Sequence, residues 1–431
     1  MSSAEQANPQ GLSRPLVIGC GLLTLLGAVA FVLGITGDHP EVAWRAYHIN
    51  FLYFGGIAQG AMVLVCIFTV VSAKWPGTVK RLAESLAAWV PITFLLAIIG
   101  FFGKEHIFGE WLHHDMGFKA GWLSVGRVFG VDLFIFGILA VLAMIYLYHS
   151  LRPSLNGAAD NATGVAKNFL TKWTSNWQGD DVEQEHSARV LGRVGPITLW
   201  IFAFGFTLIG FDQIMSITPH WYSNLFGTFF SWGCFLSAIA ATTVLATLNN
   251  SHPQIGPQIT TARLHDLGKM IFAFSVVWMY MFWSQYLVIW YGNLPEETIF
   301  FEARLGPVFM LDADAWDLAN WNFSVERLME TPWAPICMVV WACCWIIPFF
   351  GLLGQKAKKT PCFVGSVAVI LLFGLWLERN VLIWPSYLPE ERFAWLGFTQ
   401  IAIALGFLGA FILVQQTFAK VLPSIVVPKS S

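Results

Sequence analysis

Along this 431-residue chain, apolar residues run for twenty or more positions at a time, with short polar stretches between the runs. The runs show no period-two alternation, so they read as helices and not as the strands of a barrel. Only those two structures satisfy their own backbone polar groups in hydrocarbon. The pattern predicts ten spans, near 15–35, 44–73, 85–103, 127–151, 195–218, 221–249, 267–292, 333–353, 361–384 and 396–418. The expected fold class is therefore an all-α polytopic membrane protein. Two longer polar stretches interrupt the series. The first, 153–193, reads as a flexible surface loop. The second, 293–332, is acidic and rich in Trp and Phe, and is expected to fold against the membrane surface. No small-residue cleavage site follows the first apolar run, which reads as a retained helix and not as a signal peptide.

Composition agrees: 56% of residues are hydrophobic and 12% charged, too few charges to cover a soluble domain of this size. No basic patch suggests nucleic acid. With the N-terminus inside, sixteen Lys and Arg fall in inner segments and seven in outer ones, with Arg379 left within a span. By the positive-inside rule both termini face the cytoplasm. The seven cysteines lie mostly in apolar runs and form no Cys-x-x-Cys pair. They read as small buried hydrophobes, not as ligands of zinc or iron–sulfur clusters.

A weak repeat divides the chain. Trp44 is followed by Gly56 and Gly60 at offsets of 12 and 16, and Trp221 by Gly233 and Ser237 at the same offsets. Asp212 stands seven residues before Pro219, and Glu378 seven before Pro385. Spans two to five thus match spans six to nine in the same direction, a parallel duplication of a four-helix unit. The expected organisation is a tail and first helix (1–43), a first four-helix bundle (44–218), a second (219–385), and a last helix with its tail (386–431). The small residues spaced by four would be close helix-packing faces.

A charge within a span costs about 2.5–3.5 kcal/mol and needs a partner or a purpose. Asp132, Asp212, Glu378 and Arg379 all fall in the outer half of their spans, where Asp212, Glu378 and Arg379 could form one buried network. Such groups either clamp helices as ion pairs or exchange protons. His220, Gln285, Tyr286 and Tyr291 would extend a proton chain at the outer side, and Asp266 with Lys269 would serve the inner one. The bland reading of Asp266 and Lys269 is an interfacial i, i+3 pair. His48, His106, His113 and His114 with Glu105 and Glu110 form an outer polar cluster. It is either a solvated rim or a proton exit and quinone-headgroup contact. No span carries two widely separated histidines, so a b-type cytochrome with two stacked haems is not expected.

Phe211-Asp212-Gln213-Ile214-Met215-Ser216, followed by Pro219-His220-Trp221-Tyr222-Ser223, resembles a signature of one membrane subunit of bacterial alternative complex III. The same holds for His265-Asp266-Leu267-Gly268-Lys269, for Ser284-Gln285-Tyr286-Leu287, and for Asn293-Leu294-Pro295-Glu296-Glu297. Ile347-Pro348-Phe349 before the basic loop at 356–359 fits as well. The chain is most similar to the F subunit, the shorter of two NrfD-like (polysulfide-reductase-like) membrane subunits. That resemblance implies a bacterial inner-membrane quinol:electron-acceptor oxidoreductase using menaquinone or ubiquinone. Partners would be a second NrfD-like subunit, an iron–sulfur subunit and c-type cytochrome subunits, with a terminal oxidase as a further partner. Haem c and the iron–sulfur clusters would sit on those partners, with none on this chain. The resemblance attributes quinol oxidation chiefly to the longer subunit and proton conduction to this one. A stand-alone secondary transporter is the alternative, since parallel repeats and buried charges suit that class too.

Overall fold

A computed structural model describes residues 14–156, 164–253, 255–306 and 331–421. Readings that fall on 1–13, on most of the 293–332 stretch and on 422–431 lie outside the described residues.

Ten helices among the described residues are long and apolar enough to cross a membrane, and the chain is a multi-pass membrane protein. In order the spans are Pro15–Thr36, Pro40–Val70, Thr78–Phe101, Val125–Ser154, Asp180–Ile217, Phe226–Leu248, Thr261–Gly292, Ala334–Gly351, Pro361–Ser386 and Phe398–Ala419. Successive spans run in opposite directions. One end of the bundle gathers Ile107, Pro219 and Tyr387, where the Tyr387 hydroxyl donates to the Ile107 carbonyl at 2.5 Å. The other gathers Trp75, Arg263 and Lys358. These are called below the His106 end and the Lys358 end.

Spans two to five pack in a ring, and spans six to nine in another. The second and sixth spans are the most enclosed, with 94% and 83% of their apolar windows buried, and they pack along each other to form the seam between the rings. Their sequences explain the closeness. A Cβ placed on Gly60 would stand 2.3 Å from the Cys234 carbonyl oxygen, and one on Gly56 would stand 2.6 Å from the Cys234 sulfur. Only glycine permits that approach. Spans one and ten pair with each other, Gly27 against Gly406, and lie along the second span.

Several boundaries differ from the sequence reading. The third span starts at Thr78 and not near 85, which brings Glu84 inside the helix. The 153–193 stretch is not simply a loop. Gly164–Trp173 is helical, and the fifth span begins at Asp180. Gly179, at φ 108, turns the chain into that helix. Asp180, Asp181 and Glu183 then place negative charge on its first turn, where the helix dipole favours it. The buried Glu183 carboxylate receives Arg152 Nε at 2.6 Å and Nη2 at 2.8 Å, which ties the extension to the fourth span. Trp221 precedes the sixth span instead of opening it. It is buried, stacks on Phe300 at 3.9 Å, and donates its indole N–H to the Glu297 carbonyl. Phe300 belongs to a short helix, Pro295–Leu305, that tucks against the bundle at the His106 end.

Candidate functional site

Two carboxylate sites lie in the half of the bundle nearest the His106 end, one in each ring of helices. In the first ring Asp132 on span four and Asp212 on span five are both buried and lie against each other. Arg127, five residues before Asp132, reaches inward and donates Nη1–H to Asp212 Oδ1 at 2.5 Å, its guanidinium lying 3.5 Å over the Trp122 ring. Gln213 Nε2 donates to Asp132 Oδ2 at 2.5 Å. His48, buried on span two, donates its Nε2–H to the Gln213 carbonyl at 2.8 Å. One oxygen of each acid, Asp132 Oδ1 and Asp212 Oδ2, has no hydrogen-bond partner. Beside them is a cavity of about 20 Å³, lined by His48, Asp132 and Gln213 among phenylalanines. That is room for one water molecule.

In the second ring Glu378 and Arg379 are adjacent on span nine and both buried. Arg379 Nη1 is 3.0 Å from Glu378 Oε2, and Glu378 Oε1 accepts the Trp278 indole N–H at 3.0 Å. Arg379 also donates to the Phe230 carbonyl at 3.2 Å and lies 4.4 Å over the Phe230 ring. Gly233 makes room for it, since a Cβ there would stand 2.8 Å from Arg379 Nη2.

The expected grouping of Asp212 with Glu378 and Arg379 is therefore not what the structure shows. Asp212 has Arg127 and Asp132 as partners, and no described hydrogen bond or ion pair joins it to span nine. The reason is azimuth: the three share a depth but project into separate rings. The outer polar cluster divides as well. His48 leaves it for the buried acids. Glu105 pairs with His113 at 3.0 Å in the half-exposed rim, and His106 offers its carbonyl to Arg45. His220 is exposed, and Tyr291 is 83% exposed, so neither extends a buried chain. Gln285 is buried, accepts from the Ser223 hydroxyl at 3.2 Å, and shares a cavity wall with Glu378.

Asp266 and Lys269 pair at 2.9 Å at the Lys358 end, with side chains 34% and 55% exposed. Pairs that open to solvent contribute no more than about 1 kcal/mol. Lys269→Ala is accordingly expected to change stability by less than that, read as thermal unfolding in detergent.

Four groups lie outside the sequence reading. Arg127 falls where the sequence predicts the outer end of a span, the usual place of a rim cation, and Gln213 stands beside Asp212 with no charge to mark it. The third is a polar cluster in the first ring at the Lys358 end. There buried Glu84 accepts from Arg81 Nη1 at 2.8 Å and from the Ser150 hydroxyl, while Lys80 donates to Thr69, which bonds Tyr146. The available signal is Lys80 four residues and Arg81 three residues before Glu84. The fourth is Arg304, which the sequence places in the polar 293–332 stretch and which is buried. It donates to the Val381 and Leu382 carbonyls at 3.0 and 2.7 Å and so caps the C-terminal end of span nine.

Among curated proteins, none matches the chain. The family model for NrfD, polysulphide reductase, matches residues 34–389. That stretch takes in spans two to nine, both rings and both carboxylate sites, and leaves spans one and ten as flanking helices. With more than half of its length matched, the chain belongs to the NrfD polysulphide reductase family of membrane subunits.

Proposed function

We propose that this chain is the F-type membrane subunit of a bacterial alternative-complex-III-like quinol:electron-acceptor oxidoreductase. In this reading it carries no redox metal of its own and passes protons near the site of quinol oxidation. Both termini face the cytoplasm of an inner membrane. Iron–sulfur and c-type haem subunits, together with a second NrfD-like chain, carry the electrons. Family membership supports the coarser part, because NrfD proteins serve as membrane subunits of redox complexes. That membership also speaks against a stand-alone transporter.

The observation that carries the proton role is the Asp132–Asp212 site. Two buried carboxyls face a single guanidinium, and each keeps one oxygen unbonded. Two carboxyls sharing a site cannot both be charged cheaply, and a proton is held between them. His48 and Gln213, beside a hole the size of one water, give that proton a route toward the His106 end. The Glu84 cluster lies in the same ring at the opposite end.

Asp212→Asn keeps an oxygen for Arg127 but removes the exchangeable carboxyl. In the assembled complex, purified in mild detergent through a C-terminal tag, it is expected to lower proton-coupled quinol oxidation about a hundredfold, with assembly intact. Unchanged turnover and unchanged proton yield would remove Asp212 from the relay. A chain that purifies without haem or iron–sulfur partners would remove the complex itself.

A further inference from the structure

At the Lys358 end the two rings treat their cations differently. In the first ring they are met by acids, Arg81 by Glu84 and Arg152 by Glu183. In the second ring the chain passes from span eight to span nine through a short helix, Gln355–Lys359, that carries Lys356, Lys358 and Lys359. This helix lies directly on span seven. A Cβ on Gly268 would stand 3.0 Å from Lys358 Cγ and 3.4 Å from its Cα. His265, one turn away on span seven, lies in the field of Lys269, Lys358 and Lys359 together. Across 249–270 and 351–363 the single acid is Asp266, already held by Lys269 at 2.9 Å. The lysines that pair with a carboxylate among the described residues are Lys80, Lys104 and Lys269, none of them on this helix. Spans seven and nine both begin here without an acid in their first turn, so their dipoles add to the positive potential.

Beside the lysines is an apolar face. Lys358 Nζ lies 5.0 Å over the Phe272 ring, and Phe272 stacks on Phe349 of span eight at 5.2 Å and 21°. Phe350 stands edge-on to Phe349 at 5.0 Å. Phe350 is 63% exposed and Leu353 58%, and Phe363 in the first turn of span nine is exposed as well.

We propose that this corner of spans seven, eight and nine binds an anionic phospholipid, its headgroup phosphate among Lys356, Lys358 and Lys359 and its acyl chains on Phe350, Leu353 and Phe363. Exposed apolar side chains stand within three residues of uncompensated lysines, at the end of a membrane span. That order matches a ligand that is anionic at its head and apolar immediately below it. Basic clusters beside span ends recognise anionic headgroups in this way. An acidic protein segment would answer the lysines but give the apolar face nothing. A zwitterionic lipid would bring its own ammonium against them. The assignment is independent of which redox complex the chain serves.

The test is native mass spectrometry of the full-length chain in mild detergent, titrated with phosphatidylglycerol or phosphatidylcholine. The parent is expected to prefer phosphatidylglycerol by about tenfold or more. Lys356→Gln, Lys358→Gln and Lys359→Gln together are expected to weaken phosphatidylglycerol about a hundredfold, at about fivefold per lysine, and to leave phosphatidylcholine unchanged. The control is Lys74→Gln, Lys167→Gln and Lys172→Gln, which removes three exposed charges from the same end and is expected to bind like the parent. If the first triple variant does not fold, Lys356→Gln with Lys359→Gln, both exposed, is expected to lose about twentyfold. Equal losses in the test and control variants would reveal diffuse attraction and overturn the site. So would displacement of the lipid by inorganic phosphate, which would leave a free-anion site without an apolar part. A parent with no preference for phosphatidylglycerol would also overturn it and hand the lysines to an acidic protein segment.

Discussion

Arg127→Met is expected to destabilise the folded bundle by about 3–5 kcal/mol, the usual cost of leaving buried charge without its partner. Asp212 is fully enclosed, and Arg127 is the cation that meets it, at 2.5 Å. Without the guanidinium, two adjacent buried carboxyls keep the Gln213 amide and the Trp122 indole as polar neighbours, neither of them charged, while Ser216 bonds the Asp212 backbone and not its side chain. Methionine retains most of the apolar volume, so lost packing on Trp122 is the smaller effect. The second arm decides the cause. Arg127→Met combined with Asp212→Asn removes the uncompensated charge and is expected to recover most of the loss. Thermal unfolding of the four proteins in one detergent gives the coupling directly. A neutral single variant, or a double variant as unstable as the single, would show that the ion pair does not hold spans four and five together.

The same site shows what a sequence can and cannot carry. The ten spans were legible because the length of an apolar run is fixed by bilayer thickness and needs no knowledge of partners. The seam between the second and sixth spans was foreshadowed by Gly56 and Gly60, since small residues four apart have few other uses in such a helix. Enclosure was legible too, from charges placed within apolar spans: Asp132, Asp212, Glu378 and Arg379 are all buried. Azimuth was not. A helix of unknown rotation does not reveal which neighbour an acid faces, so the sequence alone offers Glu378 and Arg379 to Asp212, whose partner is Arg127. Arg127 itself was hidden by its place near the start of a span, where a long cation is ordinarily assigned to the rim. It snorkels in the opposite sense, inward to an acid.

Boundary error had a chemical consequence at the Lys358 end. The first turns of the third span carry Lys80, Arg81 and Glu84, and hydropathy alone treats such residues as loop. They are helical because their polar groups satisfy one another and Ser150, with Glu84 fully buried among them. The fifth span was shortened for a similar reason, its acidic first turns being set against Arg152. In both places a polar helix survives because a partner from another span satisfies it, and that information is not local. The cavity that Gln285 and Glu378 border in the second ring is a further case. Trp278, Phe282 and Tyr286 were visible as aromatics at helical spacing, but their shared face with Glu378 exists only once spans seven and nine are packed.

Gly60→Leu is expected to separate the two rings of helices and to cost the bundle at least the upper end of the about 1–3 kcal/mol usual for overpacking. A Cβ at this position would lie 2.3 Å from the Cys234 carbonyl oxygen and 2.8 Å from its carbonyl carbon. These are backbone atoms inside the sixth span, with no flexible side chain to swing away. The second span must therefore move bodily. It is the most enclosed helix and touches spans three, five, six, nine and ten, so the strain spreads through both rings. The movement would also break contacts that tie span nine to span two, the Trp376 indole N–H to Asn50 Oδ1 at 3.0 Å and the Tyr53 hydroxyl to the Leu372 carbonyl at 2.8 Å. Gly100→Ala is the control, because the nearest heavy atom to its added Cβ is Tyr47 Cε1 at 3.8 Å, ordinary contact. Detergent-solubilised yield and unfolding temperature should fall sharply for the first variant and stay near the parent for the second. If Gly60→Leu matched Gly100→Ala, the seam would not depend on backbone contact at Cys234, and the close approach of spans two and six would have to be held by other means.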